Sequence, residues 1–182
     1  DIPIGLEEKK HIRECDIKAR EFIGPRRHSI FAPPCKKASL QNDYASANKL
    51  NKKITSYGLS KQTWMINEKL KETQKLIEKG YLLNEGHPEC SFRELKGDFL
   101  QFGKSGLLGF FERLNLVTKL GFDPISLKKQ LSHDIKAKPD DLLDSLILCW
   151  SASRHIEKKG IYLGLNKESK KLSDKNKSLI LV

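Results

Sequence analysis

Pro139-Asp140-Asp141-Leu142-Leu143-Asp144-Ser145-Leu146 opens a strongly apolar helical pattern with three carboxylates, and its reading decides the fold. Pro139 presets φ for a helix start, Asp140 is placed to act as N-cap, and Asp141 in the first turn suits the positive end of the macrodipole. Asp144 lies a full turn further in, where capping has no use for it. At about 100° per residue the apolar stripe is Leu142, Leu143, Leu146, Ile147 and Trp150, and Asp140, Asp144 and Ser151 share a narrow strip along its edge. A carboxylate at the rim of a core costs desolvation free energy unless it is paired or holds a cation, which makes a divalent-metal site between helix and sheet physically reasonable. The simpler reading, a solvated acidic first turn, stands unless carboxylates from elsewhere in the chain converge on the same place.

Working upstream, residues 107 to 120 form a second amphipathic helical pattern, with Phe110, Phe111, Leu114 and Val117 expected inward. Gly103-Lys104-Ser105-Gly106 precedes it but lacks the upstream glycine of a phosphate-binding P-loop. Tyr81 to Phe92 is apolar at its start and broken at Pro88, the pattern of a strand that delivers its last residues, Glu89 among them, to a loop. Helical spacing recurs over Tyr44 to Lys53 and over Lys61 to Lys79, the latter carrying Trp64, Ile66, Leu70 and Ile77. Both tryptophans, Trp64 and Trp150, fit core positions better than base-stacking platforms. A shorter helix over Lys9 to Phe22 is expected to stop at Gly24-Pro25. Beyond it, Arg26-Arg27-His28-Ser29-Ile30-Phe31-Ala32-Pro33-Pro34 predicts an extended basic loop, suited equally to lining a phosphate backbone or crossing the surface. Asp1-Ile2-Pro3-Ile4-Gly5-Leu6 has the character of the end of a buried strand, and Ile161 to Leu165 of a last short one. Residues 1–165 thus form one domain, and 166–182 a tail rich in lysine, serine and asparagine, too polar from 166 to 177 to order itself.

Lysine and arginine outnumber aspartate and glutamate 34 to 23, a net charge of +11, which points to a polyanionic partner, nucleic acid before a membrane surface. The four cysteines, Cys15, Cys35, Cys90 and Cys149, are too dispersed for a zinc finger or a disulfide framework, and a reducing cytoplasm fits them. No apolar run approaches the roughly 18 residues that a membrane span needs, and none of the stretches is expected to act as a signal peptide.

Three acidic sites therefore stand apart in sequence: Asp1, Glu89, and Asp141 with Asp144. Together with the stretches around them they resemble the predicted RNase H-like nuclease family, often labelled only as a domain of unknown function. The stretches are Asp1 to Leu6, Cys15-Asp16 followed by Ala19-Arg20, and Ser29 to Pro33. Further along come Gly58 to Gln62 leading to Lys69 and Glu72, His87-Pro88-Glu89-Cys90-Ser91-Phe92, and Asp140 to Ser145 followed by Cys149-Trp150-Ser151-Ala152. They occur in the family's order across residues 1 to 156.

The resemblance implies an α/β chain with an RNase H-like fold, N-terminally truncated and with a large helical portion. In that fold acidic residues at strand ends and on a C-terminal helix bind divalent metal. Asp1 would take the later-strand role, Glu89 would join through the His-Pro-Glu motif, and Asp141 and Asp144 would form the helical pair. The expected first strand and its aspartate would precede residue 1, leaving the chain as given without one metal ligand and about half of its sheet. Mg²⁺ or Mn²⁺ would be the cofactor, since two such ions about 4 Å apart activate water and stabilise the leaving oxygen of an in-line phosphodiester displacement. Arg26, Arg27, Lys104 and Arg113 are candidate phosphate contacts. Lys69 and Glu72 fit helix-surface ion pairing at least as well, and His87 fits a turn residue better than a proton relay. The activity implied is metal-dependent hydrolysis of nucleic acid. The alternatives are a non-catalytic nucleic-acid-binding or scaffold protein on the same fold, and a truncated inactive remnant.

Overall fold

The computed structural model describes residues 2–123, 125, 126, 129, 137–164 and 179–182. Within them the chain is mixed α/β and dominated by helix: α1 Glu14–Ile23, a 3₁₀ helix Gly24–Ser29, α2 Lys36–Ser39, α3 Tyr44–Thr55, α4 Lys61–Met65, α5 Asn67–Glu78, α6 Pro88–Lys96, α7 Leu107–Lys119 and α8 Pro139–Ile156. Three two-residue strands, β1 Glu85–Gly86, β2 Tyr162–Leu163 and β3 Ile180–Leu181, form a sheet in the order β1-β3-β2. Beside it Ile161 and Val182 exchange both backbone hydrogen bonds, at 3.0 and 2.8 Å, the signature of a hydrogen-bonded antiparallel pair. Of the predicted tail, residues 179–182 carry β3, with Ile180 and Leu181 buried, while Asp1 and 165–178 lie outside the described residues.

The chain divides into two compact units. The first comprises Asp1–Glu21, His28–Glu85 and Tyr162–Ile180. In it α2 packs on α3 and α5, and α4 on α5, and its buried apolar residues include Cys15, Ala19, Cys35, Ala38, Ala47 and Leu70. Short helices satisfy their ends with side chains: Asp43 accepts from Ser46 N at 2.9 Å and Ser60 from Thr63 N at 3.0 Å. Buried Asn51 accepts from Cys35 N and donates to Tyr57 O, which lets irregular chain cross the interior without stranded polar groups.

The second unit comprises Phe22–Arg27, Gly86–Ile161 and Leu181–Val182. Here α6, α7 and α8 pack on one another around Phe92, Leu100, Leu116, Val117, Leu143, Leu146 and Ile147. The apolar stripe read from the α8 sequence is its core face, with Leu142 and Trp150 at the margin. Ser151, on the same strip as Asp144, donates to Ser91 Oγ at 2.8 Å inside the helix contact. Gly97 ends α6 at φ 74°, a left-handed conformation that an L-residue with Cβ adopts only at a cost.

Several local expectations are corrected. Residues 2–6 are not strand; Ile4 is held instead by its N–H on Glu85 Oε2 at 2.6 Å. The Lys61 to Lys79 pattern is two helices broken at Ile66. Pro25 does not open an extended segment but sits at the start of the 3₁₀ helix, because its fixed φ is compatible with any first helical turn. Pro88, read as a strand breaker, is the first residue of α6, with His87 in the N-cap position. On α7 the buried face is Gly109, Arg113, Leu116 and Val117, and Phe111 is exposed. The N-cap of α8 is Lys138 rather than Asp140.

Candidate functional site

The second unit gathers Arg26, Glu89, Lys104, Arg113, Asp140 and Asp144, which come from five separate segments of sequence, into two neighbouring sets of ion pairs: Arg26 and Arg113 on Glu89, and Lys104 on Asp140 and Asp144, with the Glu89 charge also acting on Lys104. Glu89 occupies the first turn of α6, where exposed backbone N–H groups and the macrodipole favour a carboxylate. It is buried all the same, so its charge needs a partner. Arg113, on the core face of α7 and 1% exposed, supplies one: Nη2 donates to Glu89 Oε1 at 2.6 Å. The same guanidinium donates through Nη1 to the carbonyls of Gly109 at 2.8 Å and Phe102 at 3.2 Å. Arg113 therefore reads as a buried strut rather than a surface phosphate contact. Arg26, on the 3₁₀ helix, brings Nε to 3.8 Å from Glu89 Oε2.

The turn Gly103–Gly106, closed by Gly106 N on Gly103 O at 3.1 Å, carries Lys104. It lies directly on the first turn of α7: a Cβ at Gly109 would come within 1.9 Å of Gly103 O. Lys104 Nζ donates to Asp144 Oδ2 at 2.8 Å and lies 4.0 Å from Asp140 Oδ2. Partial burial by itself lowers the Lys104 pKa, but the hydrogen bond to Asp144 and the charges of Asp144, Asp140 and Glu89 outweigh it and hold the ammonium above the ordinary lysine range. Two carboxylate oxygens at this network, Glu89 Oε2 and Asp144 Oδ1, are buried and receive no hydrogen bond. That is an uncommon state for buried acceptors.

Asp141 turns away from this network. It is exposed, and its Oδ2 accepts from Lys138 N at 3.2 Å at the start of its own helix. Arg27 is solvent-exposed on the 3₁₀ helix. Lys69 and Glu72 are exposed on α5, in the first unit. Asp1 lies outside the described residues. Among the described residues no group of three or more His, Cys, Asp or Glu side chains is assembled for a metal ion, and no helix is long and apolar enough to cross a membrane.

The model of the family described as "Protein of unknown function (DUF429)" matches residues 1–168. The chain belongs to that family. No curated protein and no solved structure matches the chain. As a DUF429 member it places six charged residues in two neighbouring sets of ion pairs.

A second charged cluster, marked in the sequence only by the spacing of Arg13 to Asp16, sits in the first unit. Arg13, 1% exposed, makes two bidentate pairs: Nε and Nη2 with Asp16, and Nη1 and Nη2 with Glu85, the latter both at 2.7 Å. Burial opposes its charge, and the bonds from Glu85 and Asp16 more than restore it, raising its pKa. Arg13 Nη1 also reaches Ile4 O at 2.7 Å, so the cluster pins the N-terminal segment. Cys15 beside it has its thiol pushed up to about 12, chiefly by burial, and is unreactive at neutral pH. All donors and acceptors are matched to one another, which marks this cluster as structural.

Proposed function

We propose that the chain is a metal-dependent phosphodiesterase of RNase H-like type acting on nucleic acid, with Glu89 and Asp144 as carboxylate ligands of Mg²⁺ or Mn²⁺. The observation that carries this reading is the pair of buried carboxylate oxygens, Glu89 Oε2 and Asp144 Oδ1, that receive no hydrogen bond. Leaving such an oxygen unsatisfied costs about 1–3 kcal/mol, a cost that a bound cation would remove. The donor set suits a hard cation, and Mg²⁺ is commonly held by one or two carboxylates with water and phosphate oxygens completing its shell, so two such carboxylates fit this mode. A divalent ion bound there supplies charge neutralisation and an activated water. The chain's own residues do the rest. Arg113 fixes Glu89 through Oε1, leaving Oε2 as the donor, and Lys104 and Arg26, half-exposed at the rim, provide positive charge for the substrate's phosphate.

A second reading, nucleic-acid binding without cleavage, is favoured by one observation: both carboxylates already have cationic partners, and the described residues assemble no three-donor group. Incubation of the protein with single-stranded and duplex RNA and DNA in the presence of Mn²⁺ separates the two. The enzyme reading predicts cleavage that is lost with chelator and with Asp144→Asn. Salt-sensitive binding with every substrate left intact would establish the binding reading instead.

A further inference from the structure

The cations of the network differ in how firmly they are held. Arg113 is enclosed and commits both its Nη groups to three acceptors, so it cannot leave. Lys104 is 42% exposed on a turn, whereas the carboxylates it pairs with, Asp144 and Asp140, are 15 and 31% exposed, and Glu89, whose charge also acts on it, is 5% exposed. The mobile member of each of its pairs is the ammonium. It also leaves the site incompletely satisfied, since Asp144 Oδ1 and the nine-tenths-buried Glu89 Oε2 receive no hydrogen bond. One monovalent charge on a flexible stem thus offsets carboxylates with unused acceptor capacity.

We propose that Lys104 is the exchangeable counter-ion of this site: its ammonium neutralises Asp144 and its neighbours until a divalent cation takes that place, whereupon it turns to a phosphate of the nucleic acid. Divalent cation and phosphodiester then bind with positive cooperativity, because each occupies what the other has released from the ion pair. Gly109 is part of the device, since only a residue without Cβ lets the turn lie close enough to deliver Lys104 to Asp144. This inference rests on the reading of Glu89 and Asp144 as cation ligands.

The test is calorimetric titration of Mn²⁺ into the wild type, Lys104→Ala and Lys104→Gln, each alone and with a single-stranded phosphorothioate oligonucleotide as a cleavage-resistant probe. Removing the competing ammonium is expected to tighten Mn²⁺ binding about 5- to 20-fold, and the oligonucleotide to tighten it severalfold in the wild type but not in the variants, within the usual range of coupling between sites. Lys104→Gln keeps much of the stem and provides the reading if Lys104→Ala is poorly folded. Mn²⁺ binding of equal or lower affinity in both variants would overturn the exchange while leaving the metal site standing. Absence of Mn²⁺ binding in all three proteins would overturn the metal-site reading and the exchange with it.

Discussion

Arg113 and Glu89 form a fully enclosed ion pair, Nη2 to Oε1 at 2.6 Å, that joins α7 to the first turn of α6 and fixes the carboxylate at the centre of the candidate site. Removing one member strands the other. Arg113→Met should cost about 3–5 kcal/mol, and adding Glu89→Gln should recover part of that loss, because an uncompensated buried charge is worse than a neutral pair. Urea denaturation of the two single variants and the double variant measures the coupling. Additive losses would mean that the pair does not act as a unit.

Gly109→Ala would ordinarily favour a helix by about 1 kcal/mol. Here the added Cβ would meet the Gly103 carbonyl at 1.9 Å, and backbone has to move. The expected result is a net loss of about 1–3 kcal/mol by overpacking, together with Mn²⁺ affinity shifted in the same direction as in Lys104→Ala. Unchanged or higher thermal stability would show that the turn does not rest on α7 in this way.

Glu112 carries a pH dependence with a definite sign. Partial burial by itself raises its pKa, but Lys96 Nζ at 2.8 Å and the backbone N–H groups of Gln101 and Phe102 outweigh that, so it lies below the ordinary 4.5. A carboxyl whose folded pKa is depressed contributes stability above its unfolded value, and the contribution disappears as pH falls through the folded one. Glu112→Gln should therefore cost about 1–2 kcal/mol at neutral pH, and the gap from wild type should close as pH drops below 4.5. A gap that stays constant to pH 3 or so would assign the loss to packing rather than to charge.

Arg13→Met, in the other unit, should be among the most destabilising substitutions, by about 3–5 kcal/mol, since it leaves the buried Asp16 and Glu85 without their shared cation. Hydrogen exchange should rise at Ile4 and along the start of α1. Protection unchanged there would show that Arg13 does not hold the N-terminal segment.

Where the sequence predicts elements correctly, one periodicity acts alone. The α8 stripe from Leu142 to Trp150 repeats over several turns and becomes the core face of the second unit. Where two meanings share one residue type, local reading fails. Pro88 reads as a strand break and Pro25 as a helix stop, yet the same fixed φ lets each sit in the first turn of a helix, and only packing chooses. Ile66 ends α4 without glycine or proline to announce it. Asp144 stands out as a carboxylate at the rim of an apolar stripe and Glu89 as one expected just beyond a strand, but Arg113 resembles a surface cation because its partner lies 24 residues away and its burial follows from α6 and α7 packing. Arg13 had a weak signal in its spacing to Asp16, whereas its link to Glu85 spans 72 residues and has no local signature.

Thermal melting of the wild type, Asp144→Asn and Glu89→Gln, each with and without Mn²⁺, tests the central claim most directly. A ligand that binds only the folded state at a hundred times its dissociation constant adds about 2.7 kcal/mol, or roughly 5–10 °C for a chain of this size. The account predicts such a rise in the wild type and its loss in both variants while they remain folded. An equal rise in all three, or none in the wild type, would contradict it.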